Sequence, residues 1–330
     1  MVVTPHVDVA SSTDLEALAA LRTEQSWQRA ELLLRAIVTW DRGRIFLVRE
    51  GELNPAPANS RAPIATTSAI AAGPVGVIGN VITREDYRRR GLGRVVMEQT
   101  LAWLREVGVR SVLLDATADG RPLYRKLGFV DDDGSRAGYA SLAEIDRAAL
   151  ARVAGSRRAG LAQKSALARV AALDLVAFGG DRLDFLALLL AMPGHWLYLA
   201  EDATGTLAGY ALVRREELPY VGVRIGPWVA RDREMAAALL LAALAANAPW
   251  QREMDTGPLE PHLFISLPDS SHEAMALFAE VGGTLFEDDL IMRLDFAART
   301  PGTATVGREG LPPVAKHPEW LYAWIAPMVF

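Results

Sequence analysis

At 330 residues the chain has room for about two domains. With 51% hydrophobic and 23% charged residues it can bury a core in each, which excludes a disordered tail. Its balance of 35 Lys+Arg against 40 Asp+Glu, a formal charge of −5, argues against a general nucleic-acid binder, whose phosphate contacts need a basic face. The absence of cysteine excludes disulfides, thiolate metal sites and a catalytic thiol, and fits a reducing compartment. The histidines, His6, His195, His262, His272 and His317, form no HxxxH or HxH pair, so no metal is expected. No basic n-region followed by an apolar h-region opens the chain. The longest apolar run, Met235 to Ala248, falls short of the roughly 20 residues that span a bilayer. These features predict a soluble, cytoplasmic protein without nucleic-acid or membrane partners.

In chain order, Thr13-Asp14-Leu15-Glu16 has the form of a capping box with Thr13 as N-cap, followed by Leu15, Leu18 and Leu21 at helical spacing. A second helix is predicted from Trp27 to about Trp40, then a strand at Ile45 to Val48 and a proline-containing surface loop from Asn54 to Pro63. Val75 to Thr83 is a Val/Ile-rich strand. A charged loop leads from it into Gly91-Leu92-Gly93 and a helix expected to bury Leu92, Val96, Trp103 and Val107 before Gly108 stops it. Ser111 to Thr117 is the next strand, Pro122 to Leu127 a short helix ended by Gly128, and Phe129-Val130 the start of another strand. Such alternation argues for an α/β or α+β sheet domain. An Ala/Arg-rich stretch broken at Gly155 to Arg158 marks a domain boundary. Beyond it come helices between Leu167 and Met192, strands at Trp196 to Ala200, Leu207 to Val213 and Val221 to Ala230, an Ala/Leu helix, a strand at Leu263 to Leu267 and a helix from Ser271. The predicted divisions are 1–145, a linker at 146–165, a second domain at 166–298 and a tail at 299–330.

Chemistry concentrates at Arg88-Arg89-Arg90-Gly91-Leu92-Gly93, between a strand and a helix. Small residues let backbone amides turn toward a ligand, and the following helix presents its positive end to an anion. Arg84, Arg88, Arg89, Arg90 and Arg94 add positive charge. A dinucleotide fingerprint would need a third small residue where Val96 stands, which disfavours a nicotinamide-dependent oxidoreductase.

With this segment and a later block, Leu123-Tyr124-Arg125-Lys126-Leu127-Gly128-Phe129, the sequence over about residues 5 to 140 resembles the GNAT acyltransferase superfamily. The first segment matches its R/Q-x-x-G-x-G/A motif through Arg88, Gly91 and Gly93. The resemblance implies an α+β fold with a mixed, mostly antiparallel twisted sheet flanked by helices, and an N-acetyltransferase that uses acetyl-CoA as cosubstrate without a metal. It implies that Arg88, Arg89, Arg90, Gly91, Leu92, Gly93 and Arg94 hold the pyrophosphate and that Val81, Ile82 and Thr83, on a splayed strand, pair with the pantetheine arm. Where the superfamily often has an asparagine near the cofactor, this chain has Thr117, with the small residue Gly120 three positions on. The resemblance makes Tyr124 the general acid for the departing thiolate; an ordinary tyrosine, with a pKa of about 10, is protonated at neutral pH.

The general base is open. Asp115 is the candidate because strand alternation would put it on one face with Thr117. Asp119, Glu85 and Asp86 are rivals, Asn80 cannot serve, and the C-terminal carboxylate of Phe330, docked through Trp320, Tyr322 and Trp324, is a further route. The second half reads as a degenerate copy. Leu277-Phe278-Ala279-Glu280-Val281-Gly282 aligns with Leu123 to Gly128 but puts Phe278 in the tyrosine's place, and Arg231-Asp232-Arg233-Glu234 lacks the glycines of the cradle. The whole resembles tandem GNAT proteins with one active and one inactive domain, the latter shaping an acceptor cleft or mediating a homodimer. The acceptor, a small-molecule or peptide amine, is not legible. The competing reading is a non-catalytic acyl-CoA sensor.

Overall fold

The computed structural model describes residues 5–50, 62–216, 221–253, 259–296 and 321–323. Two compact units divide it. The first takes Met1–Asp132 and Met292–Val314 with Ala326–Phe330; the second takes Asp133–Ile291 and Ala315–Ile325.

The first unit begins with β1 (Asp8–Val9), α1 (Leu15–Thr23), α2 (Glu31–Thr39) and β2 (Gly43–Arg49). The capping box lies two residues earlier than the sequence suggested. Ser11 is the N-cap of a short 3₁₀ turn, and the Asp14 carboxylate accepts from the Ser11 amide at 2.8 Å. Glu16 instead pairs with Arg29 at 2.8 Å. The second helix starts at Glu31, because Ala30 sits in the left-handed region at φ +51° and cannot extend it backward. β3 (Pro63–Ala72) and β4 (Val75–Thr83) continue the antiparallel sheet, and β5 (Ser111–Ala116) joins β4 in parallel after the crossover helix α3 (Leu92–Glu106). α4 (Arg121–Lys126) follows. Leu92 and Val96 pack on Val48, Ile64 and Ala65, so the sheet fixes where the start of α3 points. The buried stripe of α3 runs through Met97, Thr100, Leu101 and Leu104. Val107, expected inside, is 47% exposed beyond the helix end.

The first unit's sheet is completed from far along the chain. The end of β12 (Thr284–Asp295) lies beside β5: Ser111 Oγ donates to Asp295 Oδ1 at 2.5 Å, the Phe296 amide to Arg110 O at 2.8 Å, and Arg293 pairs with Asp132 at 2.6 Å.

The second unit contains β6 (Val130–Ser141), counted there from Asp133, then α5 (Arg147–Ala154) and β7 (Arg158–Ala162). The stretch read as a linker is therefore a helix and a strand. α6 (Ala171–Phe178), α7 (Leu183–Ala191), β8 (His195–Glu201), β9 (Leu207–Arg215) and β10 (Gly222–Ala230) follow, with α8 (Arg233–Ala243), α9 (Pro249–Glu253), β11 (His262–Pro268) and α10 (His272–Glu280) behind them. β7 to β10 are antiparallel neighbours, β10 and β11 are parallel, and β11 runs antiparallel to β6. α8, an Ala/Leu helix buried on nearly every side, forms one core with Trp228, Trp250 and Phe278. Each unit is thus a mixed, mostly antiparallel sheet with helices on it, the expected α+β class. Each also repeats one feature, a central parallel strand pair joined by a crossover helix. No helix among the described residues is long and apolar enough to cross a membrane.

Candidate active site

In the first unit the parallel pairing of β4 with β5 covers Val75 to Ile78 against Ser111 to Leu114 and then ends. Beyond it, Gly79, Ile82 and Thr83 remain paired to β3 on their other side. Among the described residues no strand pairs with Val81, Ile82 or Thr83 on the edge that β5 leaves, where Thr83 O accepts from Arg88 at 3.2 Å. Ile82 is buried while Val81 and Thr83 are half-buried, the alternation of a strand with one face in the core. Just past the last of these pairs lies a bulge. β3 spends one residue between Thr66 and Ser68 where β4 spends two, Asn80 and Val81, between Gly79 and Ile82. Asn80 adopts φ +51°, a left-handed conformation that Asn tolerates better than most side chains.

The charged loop then turns into α3. Arg89 and Gly91 both take positive φ, +62° and +81°, and Gly91 is the N-cap. The first backbone bond into the helix is Val95 N to Gly91 O at 3.2 Å, so the amides of Leu92, Gly93 and Arg94 precede the ladder and are left to a ligand. No acidic residue stands in this first turn. Gly93 keeps this approach close: a methyl group there would crowd Thr83 Oγ1 at 3.3 Å and touch Leu123 Cδ2 at 3.4 Å. Leftover amides, a helix N-terminus and bare backbone beside the end of β4 that β5 does not pair make a cradle that fits a diphosphate and an extended chain continuing from it.

The arginines divide by partner. Arg84 is bidentate to Asp86 at 2.8 and 2.9 Å and reaches Glu50 at 3.1 Å; its hydrogen bonds to Asp86 and Glu50 raise its pKa. Arg90 lies 4.8 Å over the Tyr87 ring, whose hydroxyl donates to Glu50 at 2.6 Å. Arg94 pairs with Glu98 at 2.7 Å. Arg88 donates to Thr83 O at 3.2 Å and to Gln25 Oε1 at 2.7 Å, which ties the cradle to the segment between α1 and α2. Arg84 thus buttresses the loop and Arg88 ties it to Thr83 and Gln25, while Arg88 and Arg89 both stay exposed.

α4, whose Leu123 lies against Gly93, carries Tyr124, 5% exposed, with its ring 6.0 Å from that of Phe129. Gly120 makes room for it. A methyl group there would stand 2.7 Å from Tyr124 Cε2 and 3.1 Å from the hydroxyl oxygen. β5 ends at Ala116, so Thr117 lies past the strand and does not share a face with Asp115 as alternation suggested. Thr117 is exposed and its hydroxyl accepts from the Gly120 amide at 3.3 Å, shaping the turn that delivers Tyr124. Asp115 is half-buried on β5. Asp119 and Glu85 are exposed, and the hydrogen bond from Arg84 holds the Asp86 carboxyl below its usual range, which makes it a poor base. Phe330, Trp320 and Trp324 lie outside the described residues, as does the loop from 54 to 61; Tyr322 falls on a short strand of the second unit.

Three residues that sequence reasoning did not place in the site meet there. Arg22, from the end of α1, is buried and donates to Gln28 O at 2.7 Å and to Asn80 Oδ1. Asn80 Nδ2 donates to Ser68 Oγ at 2.6 Å, and Ser68 Oγ donates to Gly79 O at 3.0 Å. The available signal was Gly79-Asn80 inside a run of Val and Ile, a pair that weakens a regular strand and marks a bulge.

The second unit keeps the parallel pair without the cradle. After β10 the helix is capped by a carboxylate: Asp232 accepts from the Met235 amide at 2.7 Å, and Glu234 adds a negative charge in the first turn. β10 pairs with β11 only over Gly222 to Arg224. The edge that β11 leaves is taken by β13 (Leu321–Ala323), antiparallel at Trp228 and Val229, while β9 holds the other edge. Phe278 is fully buried where the first unit has Tyr124.

Comparison with known proteins agrees in both halves. The model described as "Acetyltransferase (GNAT) family" matches residues 14–129, and that described as "Acetyltransferase (GNAT) domain" matches residues 170–300. An uncharacterized N-acetyltransferase of Bacillus subtilis, YitH, is 30% identical over 195 residues, 58% of this chain and 63% of that protein. The chain thus spans less than two thirds of that relative's length. Among solved structures, a protein from Pyrococcus horikoshii provisionally described as an acetyltransferase superposes with a TM-score of 0.70 at 20% identity, covering 98% of this chain and 94% of the other. A tandem GNAT protein from the clavulanic acid biosynthesis pathway gives 0.61 at 15% identity, covering 88% and 98%. These structural likenesses support the fold.

Proposed function

Because the chain belongs to the GNAT acetyltransferase family in both of its units, we propose that it transfers an acetyl group from acetyl-CoA to an amine, with the chemistry in the first unit. One observation supports this reading most: the leading amides at the glycine-built start of α3 adjoin the end of β4 that β5 does not pair, with Leu123, the residue before Tyr124, against Gly93. In the proposed reaction the amides of Leu92, Gly93 and Arg94, with Arg88 and Arg89, hold the diphosphate, and the pantetheine arm lies along Val81 to Thr83. A backbone amide of β4 polarises the thioester carbonyl. The amine nitrogen attacks that carbon, and a C–N bond forms as the C–S bond breaks. The departing sulfur takes its proton from the Tyr124 hydroxyl, and the amine gives up a proton to a base, for which Asp115 on β5 is the candidate.

The test is a thiol-release assay with acetyl-CoA across small amines, amino acids, aminoglycosides and peptide N-termini, alongside calorimetry with CoA. Binding with release from at least one amine supports the reading. Binding without release from any amine favours a non-catalytic acyl-CoA sensor, and no binding overturns both.

A further inference from the structure

Something must hold β4 apart from β5 beyond Ile78. The Val/Ile-rich sequence of β4 would otherwise continue the ladder, since β5 itself runs on past Leu114 to Ala116. The parting coincides with the bulge at Asn80 and Val81, and the bulge coincides with a buried polar chain of defined direction. Arg22 donates to Asn80 Oδ1, Asn80 Nδ2 to Ser68 Oγ, and Ser68 Oγ to Gly79 O. Arg22, Ser68 and Asn80 are all buried, in the region 0–4% exposed.

We propose that Arg22, Asn80 and Ser68 form a clamp that sets the bulge in β4, and through it the width of the gap that receives the pantetheine arm. The proposal rests on the acyl-CoA reading of this site. Arg22 and Asn80 are positioning residues, since neither needs to touch a reacting atom. The chemistry of position 80 is narrowly defined. It must accept from a guanidinium, donate to a hydroxyl and take a positive φ, and a primary amide on a short side chain does all three. A carboxylate there would force Ser68 to turn its proton away from Gly79 O. A glycine would take the backbone conformation but tie it to nothing. Arg22 also donates to Gln28 O at 2.7 Å and lies 5.5 Å from the Trp27 ring centre, so the clamp anchors the segment between α1 and α2 to the same point of β4. Buried bonds of this kind are costly to break singly, because the abandoned partner stays desolvated.

The test separates the arm from the nucleotide. Binding of CoA and of 3′-phosphoadenosine 5′-diphosphate, its nucleotide half, is measured calorimetrically on the full chain and on Asn80→Ala, Asn80→Gly and Arg22→Met. The clamp predicts CoA binding weaker by about tenfold or more in all three, the scale of a lost charge-assisted bond. The nucleotide half, held by the cradle, should change by less than about twofold, and steady-state rates should fall through KM for acetyl-CoA. Equal weakening of both probes, no weakening of either, or failure of all three variants to fold would each overturn the clamp as a positioning device; Asn80→Gly, which accepts the strained φ, guards against mistaking a folding defect for a binding one. A wild-type chain that binds neither probe would instead overturn the acyl-CoA reading, before any variant is made.

Discussion

Tyr124 is seated by a missing side chain. Its ring lies where a methyl group on Gly120 would intrude to 2.7 Å, against ring carbon rather than a flexible chain end. Gly120→Ala should therefore shift the ring and its hydroxyl together. The expected result is a kcat lowered by about tenfold or more with CoA affinity nearly unchanged, because a 1 Å displacement of an acid costs rate before it costs ground-state binding. Tyr124→Phe removes the proton and keeps the ring contact with Phe129. It should lower kcat by roughly 10²-fold, at the low end for general acid catalysis, with the melting temperature little changed. Single-turnover kinetics on both variants checks this. A Tyr124→Phe enzyme at full rate would remove the tyrosine from the mechanism. The two motifs were legible because glycines mark places where a backbone turns or approaches closely, and Gly91, Gly93 and Gly128 are used in those ways. Arg22 was not legible. Its role depends on a partner 58 residues away, and a lone arginine at the end of a helix carries no spacing signal.

At the level of elements, α3 shows what periodicity reads and what it misses. Leu92 and Val96 were assigned to the core by their spacing and are there. The stripe then continues through Thr100, whose hydroxyl donates to Val96 O at 2.8 Å and so satisfies itself inside the helix, a route that a hydrophobic pattern does not register. In the second unit the segment between Leu167 and Met192 breaks into α6 and α7 around Gly179, which ends α6 at φ +83°. A buried ion pair secures the break: Arg182 Nη2 donates to Asp174 Oδ1 at 2.8 Å, and Tyr210 on β9 donates to the same carboxylate. Asp174→Asn would leave the guanidinium buried without its counter-charge and should destabilise the chain by about 3–5 kcal/mol in urea unfolding. β8 opens with His195, whose pKa burial pushes down to about 4, with Arg214 and Lys164 adding repulsion and a bond to Pro193 O opposing them. The folded chain then holds this imidazole neutral where the unfolded chain, at 6.5, takes up a proton. Its contribution is complete above pH 6.5 and declines as the pH falls toward 4. His195→Gln should flatten the stability profile across that window. An unchanged slope in urea titrations between those limits would show that His195 is solvated in the folded state.

Across the whole molecule the same order of elements occurs twice, yet the two units differ at each point where an acyl-CoA would be gripped. Where the first unit leaves amides uncovered after Gly91, the second covers one with the Asp232 carboxylate and puts Glu234 in the same turn, so a phosphate there would meet negative charge at a helix start already satisfied. Where no described strand takes the edge of β4 that β5 leaves, β10 has the matching edge paired to β13, a three-residue strand from near the chain's end. The lost glycines and Phe278 were legible. The strand was not, because three residues in a Pro/Gly-containing tail carry no alternation to read, and their pairing is dictated by the vacant edge of β10. These differences predict one acyl-CoA site per chain. Titration of the full chain with CoA should give a stoichiometry near one and a single-site isotherm. Asp232→Ala alone should leave that number unchanged, since the edge of β10 stays occupied. Tyr322→Pro, which removes a donor from β13, should raise hydrogen exchange at Trp228 and Val229 without adding a second site, because the cradle is still absent. Two equivalent sites in the wild-type chain would mean that the second unit grips the nucleotide by a surface other than the start of α8, and that neither its carboxylate cap nor its borrowed strand closes it.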